Sequence, residues 1–137
     1  MLFRSVISKG YLPALAQGLK IGAFVHEGLW HDLRTPAFYW AALRDFLEQK
    51  DPKDLVGVDA CRAARGLKSW RRGTTLGDSS TKLAPSAKLG SHVLIEPGCE
   101  IAAKAELDRC LLLPGARVAE GQVVKNAIFG QNLRVDL

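Results

Sequence analysis

Residues 83–129 read LAPSAKLGSHVLIEPGCEIAAKAELDRCLLLPGARVAEGQVVKNAIF. The stretch cuts into units of six: LAPSAK, LGSHVL, IEPGCE, IAAKAE, then a unit one residue short, LDRCL, then LLPGAR, VAEGQV and VKNAIF. The leading residues are Leu83, Leu89, Ile95, Ile101, Leu107, Leu112, Val118 and Val124, all aliphatic. Four places later stand Ala87, Val93, Cys99, Ala105, Leu111, Ala116, Gln122 and Ile128, mostly small or apolar. Proline and glycine recur at the third and fourth places, as in Pro85, Pro97-Gly98 and Pro114-Gly115. This is the hexapeptide repeat, in which each unit forms a short strand and a corner, and three units close one triangular coil. The leading aliphatic points to the coil axis and stacks on its counterpart one coil on. The pattern predicts a short parallel β-helix of about three coils rather than an ordinary antiparallel set of strands. A solenoid this short has weak ends, because each coil buries only its neighbours.

Outward from the repeat, the pattern changes. Residues 50–82 are irregular and charged, and the end of that stretch, SWRRGTTLGDSSTK, reads as turn and linker. A short amphipathic helix is expected within it, around 58–67. Residues 1–49 mix helix and strand signals. Phe3, Val6, Ile7, Leu12, Leu15 and Leu19 fall on loose helical spacing broken by Gly10 and Pro13, which predicts a helix, a turn and a second short helix. Ile21 to Val25 reads as a strand. Thr35 sits where an N-cap belongs, with Pro36 at the first helical position, where its missing N–H costs nothing. From there a helix is expected to about Gln49, with an apolar stripe of Phe38, Ala41, Ala42 and Phe46 flanked by Tyr39, Leu43 and Leu47. The resulting division is 1–49, a linker over 50–82, and the β-helix over 83–137.

The totals narrow the classes. The 137 residues suit one domain or two small ones, and 47% apolar with 24% charged residues is a globular composition. A net charge of +5 is that of an arginine-bearing solvated surface. The densest basic cluster, Lys68-Ser69-Trp70-Arg71-Arg72, has one aromatic and no regular spacing, so nucleic acid is not expected as a partner. Cys61, Cys99 and Cys110 show no metal-site spacing, and their odd number fits a reducing compartment. No apolar run reaches the roughly 20 residues that cross a bilayer, and no signal-peptide pattern opens the chain. A cytoplasmic protein without a membrane partner is the expectation.

The stretch GLWHDLRTPAFYWAALRDFL ahead of a β-helix resembles the sugar nucleotidyltransferases, the NDP-sugar pyrophosphorylases, and among them the mannose-1-phosphate guanylyltransferase-like group. That family carries G-x-W-x-D-x-G-T-P-x-x-Y near the end of its catalytic domain. Here Gly28, Trp30, Asp32, Thr35, Pro36 and Tyr39 match, and Arg34 replaces the family's glycine. The resemblance covers most of 6–48 and 83–130. It implies an α/β remnant of the catalytic domain followed by a left-handed β-helix. It also implies that Asp32 would supply one carboxylate to the Mg²⁺ that neutralises the clustered phosphate oxygens of nucleotide and sugar phosphate, a site incomplete in this chain and filled only where the complete catalytic domain is present. Trp30 is expected to pack rather than to touch a ligand. Arg34 can pair with Asp32 and compete with the metal, or contact a phosphate.

The family's Gly-rich nucleotide loop has no counterpart here. Gly73-Thr74-Thr75-Leu76-Gly77-Asp78 is the nearest in composition and lies on the wrong side of Asp32. The resemblance therefore implies the C-terminal part of a nucleotidyltransferase, inactive alone, that associates with itself or with an N-terminal catalytic partner. Two other classes fit the repeat: an acyltransferase of the hexapeptide class, with His92 as general base, and a scaffold without chemistry. His26 and His31 stand beside the motif and suggest a His/Asp metal trio with Asp32, but adjacent residues on a strand point to opposite faces, so His31 and Asp32 make poor joint ligands.

Overall fold

The computed structural model describes residues 5–27, 30–48 and 64–137. Contacts divide the chain into two units, 1–30 and 31–137. The expected strands and the apolar core lie in the second.

The β-helix forms, with ten strands among the described residues. They are β1 (Ser69–Arg72), β2 (Thr75–Asp78), β3 (Lys82–Leu83), β4 (Lys88–Leu89), β5 (Val93–Ile95), β6 (Glu100–Ile101), β7 (Glu106–Leu112), β8 (Arg117–Val118), β9 (Val123–Phe129) and β10 (Arg134–Asp136). Three parallel faces result. The first runs β2, β5, the second half of β7 and the second half of β9; the second runs β3, β6, β8; the third runs β4 and the first halves of β7 and β9. The coil spacing is readable in the register. Leu89 pairs with Leu107, but Val93 pairs with Cys110 and Cys110 with Ala127.

That register corrects the cut of the sequence. The short unit loses its residue at the corner, between Leu107 and Cys110, so Cys110 and not Leu111 takes the inward place of Val93. A second short unit, starting at Val124, does the same: Ala127 points in and Ile128 does not. Arg109 and Asn126 make these tight corners with φ of 46° and 48°, a region open to few side chains. Gly98 and Gly115 make further corners with φ of 72° and 71°, where a side chain would be strained, and His92 and Lys104 also stand at positive φ, 51° and 57°.

Inside the coils, Val93, Ile95, Cys99, Ile101, Ala105, Leu107, Cys110, Leu112, Ala116, Val118, Val124 and Ala127 form one continuous core. The leading positions are all in it or, as with Leu83 and Leu89 in the first coil, packed half-buried against it. Small residues at Ala105, Cys110, Ala116 and Ala127 let the three walls approach. Both thiols are free and buried, and burial pushes Cys110 up to about 12, so it is an inert packing group rather than a nucleophile.

The stretch SWRRGTTLGDSSTK is mostly not a linker. It forms an antiparallel hairpin of β1 and β2 joined by Gly73-Thr74, and β2 opens the first coil by pairing with β5. Gly73 has φ of 57°, as a two-residue hairpin turn requires at that position. The hairpin register sets Trp70 opposite Gly77, and the indole lies where a Gly77 side chain would stand. Trp70 thereby packs on the first coil of the core. Alternation was hidden because the strand is short and every residue of β2 is buried, Thr75 and Asp78 included. Thr75 Oγ1 donates to Gly90 O at 3.0 Å, and Asp78 Oδ1 accepts from Ser80 N and Oγ at 2.9 and 2.6 Å. At the far end β10 turns back antiparallel on β9. Hairpins thus cover both end strands of the first face.

The helices of the first unit depart from the expected pattern. In the first unit, Ile7–Tyr11 forms π-helical turns that run straight into α1 (Leu12–Ala16), so no turn separates two helices at Gly10. Pro13 falls in the first turn of α1, where it is tolerated. Ile21 to Val25 forms no strand, and it has no neighbouring strand among the described residues to pair with. Among the described residues before β1 there are helices and no strand, so the expected α/β remnant is not confirmed. The helix expected around 58–67 lies largely outside the described residues.

Outside the core, charges stack in register. Glu100 stands between Lys82 (2.7 Å) and Arg117 (3.5 Å), and Glu106 between Lys88 (2.8 Å) and Lys125 (3.5 Å). The hydrogen bond from Lys82, then its charge and that of Arg117, hold Glu100 below the usual carboxylate range; Lys88 and then Lys125 do the same for Glu106. Lys88 is raised in turn by its bond to Glu106. A carboxylate with a lower pKa folded than unfolded lends stability above the unfolded value and loses it as pH falls through the folded one. The urea midpoint is expected to fall from pH 6 to pH 3, and the Glu100→Gln/Glu106→Gln variant to show a shallower fall. An unchanged slope in the variant would assign the acid sensitivity to other groups.

Candidate functional site

The motif of interest ends in α2 (Pro36–Glu48), and α2 is fixed by the solenoid. Its start is set locally. Thr35 Oγ1 accepts from Phe38 N at 3.3 Å, and Thr35 O accepts from Tyr39 N at 2.9 Å, as an N-cap followed by proline predicts.

Which face α2 buries differs from the expected stripe. Leu43 and Leu47 are buried, with Trp40 and Phe46 half-buried beside them, against Leu76, Leu94 and Leu111, with Leu113 and Ile128 at the margin. Leu76, Leu94, Leu111 and Ile128 are the outward residues of successive strands on the first face. Two residues that break the simple inward pattern, Leu111 and Ile128, thus belong to a second apolar ladder that receives a helix. Phe38, expected within the buried stripe, is 52% exposed. The reason is geometric: Trp40, Leu43 and Leu47 share one helical face at spacings of three and four, and Phe38 lies off it.

The C-terminal end of α2 is clasped as well. Arg71 Nη1 donates to Leu47 O at 2.9 Å, satisfying a carbonyl at a helix end. His92 Nε2 lies 2.9 Å from Glu48 Oε1. His92 sits at a solenoid corner with φ of 51°, and its N–H donates to Thr74 Oγ1 at 3.0 Å. A ring committed to Glu48 inside the same chain is a fastening.

Ahead of α2, Asp32 and Arg34 form an ion pair, Nε to Oδ2 at 2.7 Å, with the arginine side chain 73% and the aspartate 37% exposed. His31 turns to α2: its Nε2 is buried, finds no hydrogen-bond partner, and lies 3.6 Å from Asp45 Oδ2. Asp45 also meets Arg44 at 3.5 Å. Trp30 is 76% exposed, contrary to the packing role expected of it. Gly28 lies outside the described residues. Gly73-Thr74 is a hairpin turn, which excludes the phosphate-loop reading of that segment.

The resemblance implies Mg²⁺ at Asp32 only together with the complete catalytic domain, and the described residues do not by themselves form a metal site there. One Asp32 oxygen is taken by a guanidinium, the adjacent histidine faces Asp45, and the described residues contain no cluster of three or more His, Cys, Asp or Glu suited to a metal. No described helix is long and apolar enough to cross a membrane.

A family model, the GMPPB C-terminal domain, matches residues 71–137, beginning inside β1 and taking in the whole solenoid. That match and the relatives below support a C-terminal sugar nucleotidyltransferase part. It is 28% identical over 134 residues to a probable mannose-1-phosphate guanylyltransferase 1 of Oryza sativa subsp. japonica, covering 96% of this chain and 34% of that protein. It is 28% identical over 104 residues to a glucose-1-phosphate adenylyltransferase of Geobacillus stearothermophilus, covering 75% of this chain and 24% of that one. A glucose-1-phosphate adenylyltransferase of Fusobacterium nucleatum is 24% identical over 117 residues, covering 85% and 27%. The chain thus spans 24–34% of the length of these curated relatives.

Leu94→Asp would put an unpaired carboxylate under α2 while leaving the inward core intact. The amides of α2 are then expected to exchange at least about tenfold faster with those of β7 and β9 still protected. Equal loss of protection everywhere would contradict a helix docked on a separately stable solenoid.

Proposed function

We propose that this chain supplies the β-helix and α2 of a sugar-1-phosphate nucleotidyltransferase, and that it acts in assembly by docking on a catalytic body rather than by turnover alone. The reaction served is NTP plus sugar 1-phosphate to NDP-sugar plus pyrophosphate. The observation that carries this reading is the second side of α2. One side is sealed on the solenoid, while Leu33, Phe38 and Tyr39 stay 56%, 52% and 37% exposed in the same unit. In the first unit, Ile7, Tyr11, Leu12 and Leu15 are all half exposed or more, along a single helical run. Apolar side chains grouped in this way mark an interaction surface. The relatives whose names carry guanylyl- or adenylyltransferase activity have far more chain than is aligned here, and a catalytic body of that kind is the partner this surface suits.

The test is solution mass by light scattering together with pyrophosphate release, on the purified chain alone and after mixing with a nucleotidyltransferase catalytic fragment. The expected result is no turnover alone, and a mixed complex that releases pyrophosphate from NTP and sugar 1-phosphate. Turnover by the 137-residue chain alone would overturn the proposal. So would a well-behaved oligomer that ignores the fragment, which would make the chain a scaffold derived from the family.

A further inference from the structure

The charge beside Asp32 is already supplied by the chain. Arg34 Nε donates to Asp32 Oδ2 at 2.7 Å, two residues along the same extended stretch. We infer that Arg34 takes the place of a divalent cation at Asp32, so that this chain binds no metal ion there. The inference starts from the motif reading of Asp32 that underlies the proposed function, but it concerns metal binding and not docking.

Three observations carry it. A guanidinium does not deprotonate in proteins, so the positive charge stays at every working pH. A dication approaching the free oxygen of Asp32 meets that charge a few ångströms away, and even at water-like dielectric the repulsion weakens binding about tenfold. Among the described residues, the neighbours of Asp32 do not compensate. His31, the residue next to Asp32, faces Asp45 on α2, and the Thr35 hydroxyl accepts from Phe38 N. A hard dication is held by one or two carboxylates together with other oxygen donors, and here the one carboxylate at hand is half-neutralised by its own neighbour.

The experiment is a Mn²⁺ titration of the full chain, read as paramagnetic broadening of the backbone amides of His31, Asp32 and Leu33. Arg34 is largely exposed, so Arg34→Gly and Arg34→Gln are expected to keep the fold, checked by the unchanged spectrum of the solenoid. The wild type should keep its linewidths to at least about tenfold more Mn²⁺ than Arg34→Gly. The broadening in Arg34→Gly should disappear when Asp32→Asn is added. Equal broadening of wild type and Arg34→Gly would overturn the inference, because the guanidinium would then not exclude the metal. No broadening in either Arg34 variant would overturn it too, because something other than Arg34 would be keeping the ion away. Neither outcome bears on the docking experiment, which reads mass and turnover.

Discussion

Everything described in the second unit rests on like positions stacking on like positions along a coil axis. Ile95, Leu112 and Phe129 lie side by side in register, as do Leu83, Ile101 and Val118, and Leu89, Leu107 and Val124. Each face is too narrow to bury itself, and the three faces close around these residues. Because the side-chain period of a strand is two, the inward stack fixes what points outward. The outward residues of one face, Leu76, Leu94, Leu111 and Ile128, form a second ladder, and that ladder seats α2. The position of the helix, and of the Thr35 cap at its start, is therefore a consequence of coil register.

The sequence carried the coil plainly. Aliphatic residues at a fixed period need no local propensity to be recognised, and the leading positions are core or core-packed. The phase at the corners was harder. Counting units from Leu107 cannot tell whether a missing residue is lost from strand or corner, and Leu111 is as apolar as an inward residue should be. Only the strand pairing of Cys110 with Val93 and Ala127 decides it. The hairpin at Ser69–Asp78 was hidden for a related reason: an end strand that contacts the core through Trp70 and Gly77 has no period to show.

The site was legible in outline and not in state. Thr35 and Pro36 announced the helix start correctly. The face α2 would bury was not readable, because the helix is apolar on more than one side. Pairing of Arg34 with Asp32 was one of two roles open to that arginine, and the geometry selects it. Ile21 to Val25 shows the limit of local reading: β-branched residues make a strand only beside another strand.

The measurement that tests this account most directly is the methyl NOE spectrum of the folded chain. The account places Leu112 methyls against Ile95 inside the coil and Leu111 methyls against Leu43 or Leu47 under the helix. Observing both sets would establish the inward ladder, its shortened corner and the docked helix together. Cross-peaks joining Leu111 to Ile95, with Leu112 facing the helix or solvent, would contradict the register from which the rest is derived.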